Sequence, residues 1–318
     1  ALPVPGANED MRRLAAMINR IGGKLDDIHV TLDSHRIIDI AHPAMWRDHD
    51  GRPPAPFTII SAGDIESELL EKAGTHLGTA DAALVATAVM RDIFDGINSR
   101  DYDRALVLGS RQYIERDPKF AKASAALMLA SLRREANVAV GVQPGASYAE
   151  YFPAYLKRAA ALGLISSELL QFDVSALAQS LDAARDFQFD LLGIMTLADR
   201  YFLTDRSGAL PARIELPQAF FMRVAMGLAL RETEREARAV EFYGVLSRFE
   251  FMTSTPTLFN AGTNRPQLSS CFLTTIPDDL DGIFSSIKDN ALLSKFAGGL
   301  GNDWTPVRAM GSLIQGTN

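Results

Sequence analysis

The chain has 318 residues, 47% of them hydrophobic and 22% charged, which excludes wholesale disorder and provides enough length for two domains. A net charge of −7 and a pI near 5.3 exclude a general nucleic-acid binder, which carries a basic footprint. No apolar run approaches the roughly 18 residues of a membrane span, and ALPVPGANEDMRR lacks a basic-then-apolar leader pattern.

The single cysteine, Cys271, excludes a disulfide-stapled scaffold, so a reducing, cytoplasmic setting is expected. All five histidines lie at or before His76, and prolines cluster at 3, 5, 43, 53, 54 and 56. That shift in composition predicts two segments of different origin, meeting near Gly63.

In the first segment, EDMRRLAAMINRI places Met11, Leu14, Met17, Ile18 and Ile21 at helical spacing. DDIHVTLDSH then reads as a short buried strand, Ile28 to Leu32, running into a polar loop. Asp33 and His35 end that strand as an Asp-x-His pair. Alternate residues of an extended chain point the same way, so both side chains could reach one metal ion. On the pair alone the preferred reading is a solvated strand end with a hydrogen-bonded histidine, since two ligands do not make a site.

ALPVPGA, IHVTLDSH and HPAMWRDHDGRPPAPFTII resemble the amino-terminal part of the nicotinamidase-like (isochorismatase-like) cysteine hydrolases. The resemblance implies a partial α/β hydrolase-like segment over residues 1–63, with Asp33 and His35 as metal ligands in an incomplete site. It also implies an aspartate upstream, a lysine and a nucleophilic cysteine. No cysteine precedes position 271, so hydrolase activity is not expected.

From residue 64 the pattern becomes helical. ESELLEKAGTHL, AALVATAVMRDIFDGI, DYDRALVLGSRQYIERD and KFAKASAALMLASLRRE carry apolar residues at three- and four-residue steps. Asp117-Pro118 marks a break between the last two. YAEYFPAYLKRAAALGLI and VSALAQSLDAARDF follow. Then comes one long predicted helix, PQAFFMRVAMGLALRETEREARAVEFYGVLSRF, opened by Pro217 as a first-turn residue. Its apolar face includes Phe221, Val224 and Leu228, with RETEREAR as its exposed centre. These helices read as scaffold.

After residue 252 the texture changes again. QLSSCFLTT predicts a strand, DGIFSSIKDNALLSKFAGGLGN a helix ending at glycines, and DWTPVRAMGS a second extended piece. Strand, helix, strand is how an α/β barrel or sheet begins.

Residues capable of chemistry crowd here. Cys271 reads either as a small core hydrophobe or as a functional thiol. Gly298-Gly299-Leu300-Gly301 reads either as a helix stop or as a place for close substrate approach. Asp278, Asp279 and Arg308 read as solvated loop charges or as part of a polar site.

RDFQFDLLGIMTLADRYFL, RIELPQAFFMRVAMGLAL, EFYGVLSRFEFMTSTPTLFNAGTNRPQLSSCFLTTIPDDL and LLSKFAGGLGNDWTPVRAMGSLIQGTN closely resemble the large (α) subunit of class I ribonucleotide reductases. The resemblance runs from about residue 64 to the end. It implies a mainly α chain leading into α/β. Residues 64–252 would be the helical region, including helices next to an ATP-cone, and 253–318 the first strands and helix of a ten-stranded α/β barrel.

It further implies reduction of ribonucleoside diphosphates to deoxyribonucleotides. Cys271 matches half of a redox pair, and Thr255, Ser270, Cys271 and Gly298 match substrate-holding positions. Asp278, Asp279, Leu280 and Arg308 match the site for a deoxynucleoside triphosphate effector. Implied partners are ribonucleoside diphosphates, ATP and dNTP effectors, a radical-supplying small subunit, a thioredoxin- or glutaredoxin-type reductant, and a second copy of the complete subunit. No catalytic cofactor of this chain itself, no nucleic acid and no membrane are implied.

The radical-forming cysteine, the redox partner of Cys271 and the basic β-ribbon of an ATP-cone are not found. Gln315 stands where the family tends to have a basic residue. The expectation is an amino-terminal fragment, joined near residue 63 to the hydrolase-like piece and inactive alone, whose open strand edges favour pairing or aggregation. The alternatives are a metal-dependent nicotinamidase-like hydrolase and a non-catalytic nucleotide-binding module.

Overall fold

The computed structural model describes residues 61–94, 97–208, 210–296 and 299–313, with isolated positions 12, 13 and 16. The helix expected within 9–21 lies mostly outside them, and the strand Ile28–Leu32 and the Asp33/His35 pair lie wholly outside. The chain divides into two compact units, Ala1–Phe120 and Ala121–Asn318.

The first unit holds α1 (Ala62–Ala73), α2 (Thr79–Asp92) and α3 (Ser99–Arg111). Each begins where a polar group satisfies free amides of the first turn. Ser61 and Asp64 cap one another reciprocally at α1, Asp81 accepts from the Gly78 amide at 3.1 Å before α2, and Asn98 accepts from the Asp101 amide at 3.0 Å. Gly109 of α3 lies against α2 so closely that a Cβ would stand 2.6 Å from Val89 Cγ2. The buried core here is Ile65, Leu69, Val85, Val89, Tyr102 and Leu106. The break at Asp117-Pro118 is present, and α4 (Lys119–Val140) starts directly after it.

In the second unit, α4 is followed by α5 (Tyr148–Ala161), α6 (Val174–Gln179), α7 (Leu191–Thr196), a two-residue ribbon of β1 (Thr204–Asp205) and β2 (Ala212–Arg213), α8 (Pro217–Ala229), α9 (Arg235–Ser247) and α10 (Thr255–Asn260). The stretch VSALAQSLDAARDF is not one helix. It divides into α6 and a separate 3₁₀ segment, Ala183–Gln188. Asp173 caps the first part and Asp182 restarts the second.

The long predicted helix is also two. α8 and α9 are separated by a turn, with the Glu232 amide bonded to the Ala229 carbonyl at 3.0 Å. RETEREAR is exposed at Arg231–Glu234, but as that turn and the start of α9. The physical reason is burial. A continuous helix of this length would run about 50 Å and carry Tyr243 and Leu246 far from any core. Folding back buries both, with Ala239, against the cluster around α8.

From Pro217 to Met226, α8 is buried on every face, as an apolar helix at the centre of a core must be. Gly227 lets the next segment touch it: a Cβ there would lie 2.1 Å from the backbone nitrogen of Gly262. Gly262 itself holds φ +77°, a left-handed conformation that glycine adopts without strain.

The chain then forms a β–α–β unit: β3 (Cys271–Thr275), α11 (Leu280–Phe296) and β4 (Gly299–Asp303). β3 and β4 pair in parallel, from Cys271 opposite Gly299 to Thr275 opposite Asp303. The expected strand–helix–strand order is present, with two shifts. β3 is shorter than QLSSCFLTT, opening at Cys271 rather than enclosing it. The second strand is GLGND rather than DWTPVRAMGS, most of which forms turns. Gly299 and Gly301 are therefore strand residues. At Gly301 a Cβ would stand 2.8 Å from Leu273 Cδ2 on the neighbouring strand.

Candidate functional site

Cys271 opens β3 with its side chain exposed. Burial alternates along the strand, exposed at 271, 273 and 275 and half-buried at 272 and 274. Thr274 bonds to Asn290 of α11 at 3.2 Å. Because alternate residues share a face, Cys271, Leu273 and Thr275 lie on the side away from the helix. The reading of Cys271 as a small core hydrophobe does not hold among the described residues.

The candidate substrate position Ser270 and the neighbouring Gly299 meet at this point. The Ser270 carbonyl accepts from the Gly299 amide at 3.4 Å, and a Cβ on Gly299 would stand 3.5 Å from Cys271 Sγ. Backbone and thiol are therefore close neighbours at the amino ends of two parallel strands. Gly298 lies outside the described residues. Asn290 joins the unit across its width, bonding to Thr274 and, at 2.8 Å, to Asn302 of β4.

Thr255 sits at the first turn of α10, on a different element. Its hydroxyl is 3.3 Å from the Tyr201 hydroxyl. Two bonds connect α10 to the segment entering β3: Thr257 Oγ1 donates to the Leu268 carbonyl at 3.1 Å, and Asn260 Nδ2 donates to that of Gln267 at 2.7 Å. The carbonyl end of α10 is held from below by the buried Arg223, which donates to Ala261 at 2.7 Å and to Leu258 at 3.3 Å.

At the other ends of the strands, Asp278 and Arg308 come together from positions thirty residues apart. The Arg308 amide donates to Asp278 Oδ1 at 3.1 Å and its Nε to Oδ2 at 2.8 Å, while Nη1 donates to the Leu313 carbonyl at 2.9 Å. The amide bond, followed by the guanidinium contact, holds the Asp278 carboxyl below its ordinary value. Asp279 plays a different part: its Oδ1 accepts from the Gly282 amide at 2.7 Å, capping α11. Leu280, the first residue of that helix, is 73% exposed.

Tyr201 was not visible as a site residue in the sequence. It ends a π-helical turn, Leu197–Tyr201, whose Phe202 amide reaches back to the Leu197 carbonyl at 2.9 Å. Such turns displace one side chain from helical register, and no spacing rule reveals them beforehand. Glu215 and Arg223 were equally hidden, since their partners lie on other elements. Among the described residues no group of three or more His, Cys, Asp or Glu side chains is placed to hold a metal ion.

Residues 187–266 match the family described as "Ribonucleotide reductase, all-alpha domain", and residues 269–318 match "Ribonucleotide reductase, barrel domain". The chain is 43% identical over 262 residues to the ribonucleoside-diphosphate reductase subunit alpha of Chlamydia muridarum, which covers 82% of this chain and 25% of that protein. It is 51% identical over 146 residues to the subunit alpha of Helicobacter pylori, covering 46% and 18%. To the ribonucleoside-diphosphate reductase large subunit of Danio rerio it is 30% identical over 246 residues, covering 77% and 30%. The chain spans about a quarter of the length of the curated relatives it matches. Residues 187–266 and 269–318 thus belong to the ribonucleotide reductase large-subunit family, the first to its all-alpha domain and the second to its barrel domain.

Proposed function

We propose that this chain serves as part of the large subunit of a class I ribonucleoside-diphosphate reductase, with Cys271 as a reducing thiol. The observation that carries the reading is the exposure of Cys271 on the face of β3 turned away from α11, beside the Gly299 backbone. In a β/α barrel the helices lie outside, so the face opposite α11 is the side of the sheet turned toward the barrel interior. Cys271 and a second cysteine supplied elsewhere in the complete enzyme then give two electrons and two protons to the ribose. The carbon–oxygen bond breaks, a carbon–hydrogen bond forms, water leaves, and the two thiols end as a disulfide that an external thioredoxin- or glutaredoxin-type dithiol reduces.

Thr255, Ser270 and the Gly298 backbone hold the ribose and diphosphate by hydrogen bonds. Asp278, Asp279, Leu280 and Arg308 receive the deoxynucleoside triphosphate effector. Arg308 offers a planar fork to phosphate, and to do so it exchanges part of its contact with Asp278 for the incoming anion. The radical comes from a separate small subunit, and two large subunits associate in the working enzyme.

The test is CDP reduction by the complete large subunit with its radical-generating partner. Cys271→Ser is expected to abolish turnover while leaving dTTP binding intact, and Arg308→Ala to weaken dTTP binding while leaving the Cys271 thiol reactive. Wild-type turnover by the Cys271→Ser enzyme would overturn the reading.

A further inference from the structure

A groove of about 550 Å³ lies on the second unit, away from Cys271 and from the Asp278–Arg308 pair. Its walls include Leu162, Leu164, Arg200, Tyr201, Arg206 and Phe259. We propose that it binds a phosphorylated aromatic compound of nucleoside-monophosphate size.

Charge is the first argument. Arg200 and Arg206 are exposed, and neither has an acidic partner among the described residues. The one acid lining the groove, Asp205, is already committed: it accepts from the Ser207 hydroxyl at 2.6 Å and amide at 2.8 Å, and pairs with Arg158. The groove therefore presents two guanidinium groups whose charge no acid among the described residues pairs with. A phosphate monoester carries close to two negative charges at neutral pH and takes forked hydrogen bonds from arginine.

Shape and surface supply the second argument. Tyr201 and Phe259 stack at 4.6 Å between ring centroids, with planes 17° apart. Phe259 remains 37% exposed, which leaves ring surface for an aromatic ligand to pack against. Leu162 and Leu164 extend the apolar part of the wall. The volume falls within the range of small-molecule sites, roughly 300–1,000 Å³. Phosphate-binding charge at one place and stacked rings at another describe a ligand with both a phosphate and an aromatic group.

The site also has a route to the rest of the unit. Tyr201 lines the groove, and its hydroxyl is 3.3 Å from Thr255, so an occupant packed on Tyr201 bears on the residue that the proposed function assigns to substrate. The binding proposal itself does not depend on that assignment.

The experiment is calorimetric titration of the full chain with AMP, with UMP, with inorganic phosphate and with adenosine, each in separate runs. Both monophosphates are expected to bind more tightly than phosphate or adenosine. In Arg200→Ala/Arg206→Ala the affinity is expected to fall at least about tenfold, and Phe259→Leu is expected to weaken the monophosphates but not inorganic phosphate. Arg308→Ala should leave AMP binding unchanged, which separates this site from the proposed effector position. Binding that persists in the double-arginine variant, that disappears in Arg308→Ala, or that is not saturable in the wild-type chain would overturn the proposal. The two arginines are exposed and make no ion pair among the described residues, so the double variant is expected to melt at the wild-type temperature.

Discussion

Glu215 and Arg223 form an ion pair at 2.6 Å with both side chains wholly removed from water. Neither is alone there. Tyr155 donates to Glu215 Oε1 at 2.5 Å and the Leu203 amide to Oε2 at 2.8 Å, while Arg223 donates onward to the carbonyls of Leu258 and Ala261. The pair therefore ties α5, the ribbon after residue 203, the central helix α8 and the end of α10 into one network. Removing one partner leaves a buried charge uncompensated, which costs about 3–5 kcal/mol. Arg223→Met is expected to lower the unfolding free energy, read from urea denaturation, by that amount, and Arg223→Met/Glu215→Leu to recover a large part of it. A double variant no more stable than the single would show that the contacts of Arg223 to the α10 carbonyls, not the ion pair, dominate.

Gly227 sits where α8 touches the Ala261–Gly262 backbone, with no room for a methyl group. The obstacle is main chain, which cannot rotate away as a side chain can. Gly227→Ala is expected to destabilise the second unit by about 3 kcal/mol, at the upper end of ordinary overpacking costs. The contrasting Gly141→Ala meets nothing within 4 Å but holds φ +78°, so its smaller loss comes from backbone strain alone. Thermal melts of the two variants side by side should preserve that order.

The Ser207 hydroxyl, then the Ser207 amide, then Arg158 hold the Asp205 carboxyl at about 2, against an ordinary value of 3.8. Its folded-state value is depressed, so between these limits the unfolded chain binds more protons than the native one. The stabilisation is complete above about 3.8 and disappears as pH falls toward 2. Urea midpoints measured from pH 2 to 6 should show this slope in the wild type and a shallower one in Asp205→Asn. Identical slopes would mean that Asp205 has no part in the acid transition.

Cys271 is the single cysteine in the sequence and is exposed at the start of β3. Native protein is expected to take up one equivalent of a thiol reagent such as iodoacetamide without denaturant, read by intact mass. Cys271→Ser should take up none. A thiol that reacts only in urea would place Cys271 in a covered position and contradict the face of β3 assigned to it.

Much of the second unit was legible from residue pattern. The apolar spacing of α4 and α5, the break at Asp117-Pro118 and the strand–helix–strand order after residue 252 all follow from local rules, and the structure has them. The long helix from Pro217 did not divide in the sequence because RETEREAR is composed of good helix formers with favourable charge spacing. Local propensity favours continuing. Only the gain from burying Tyr243 and Leu246 against α8 favours turning back.

The candidate site divides in the same way. Asp278 and Arg308 could be named from the chain, as could Cys271, because their neighbours in sequence carry the family wording. That Asp278 and Arg308 pair directly, that Asp279 caps α11 instead of joining them, and that Cys271 faces away from α11 depend on strand register and side-chain alternation. Those relations exist only once β3 and β4 are parallel.

By itself, then, the sequence determined where most of the helices and the strand–helix–strand order fall, because helix periodicity, caps and prolines act over a few residues. The tertiary structure alone decided that Tyr201 meets Thr255, that Glu215 and Arg223 share a water-free core, and that a groove lined by two exposed arginines includes a stacked aromatic pair. Tyr201 lies 54 residues from Thr255, and Glu215 and Arg223, only eight apart, draw their further partners Tyr155 and Ala261 from distant elements. The energies of these contacts arise from burial and desolvation, which no local stretch of sequence contains.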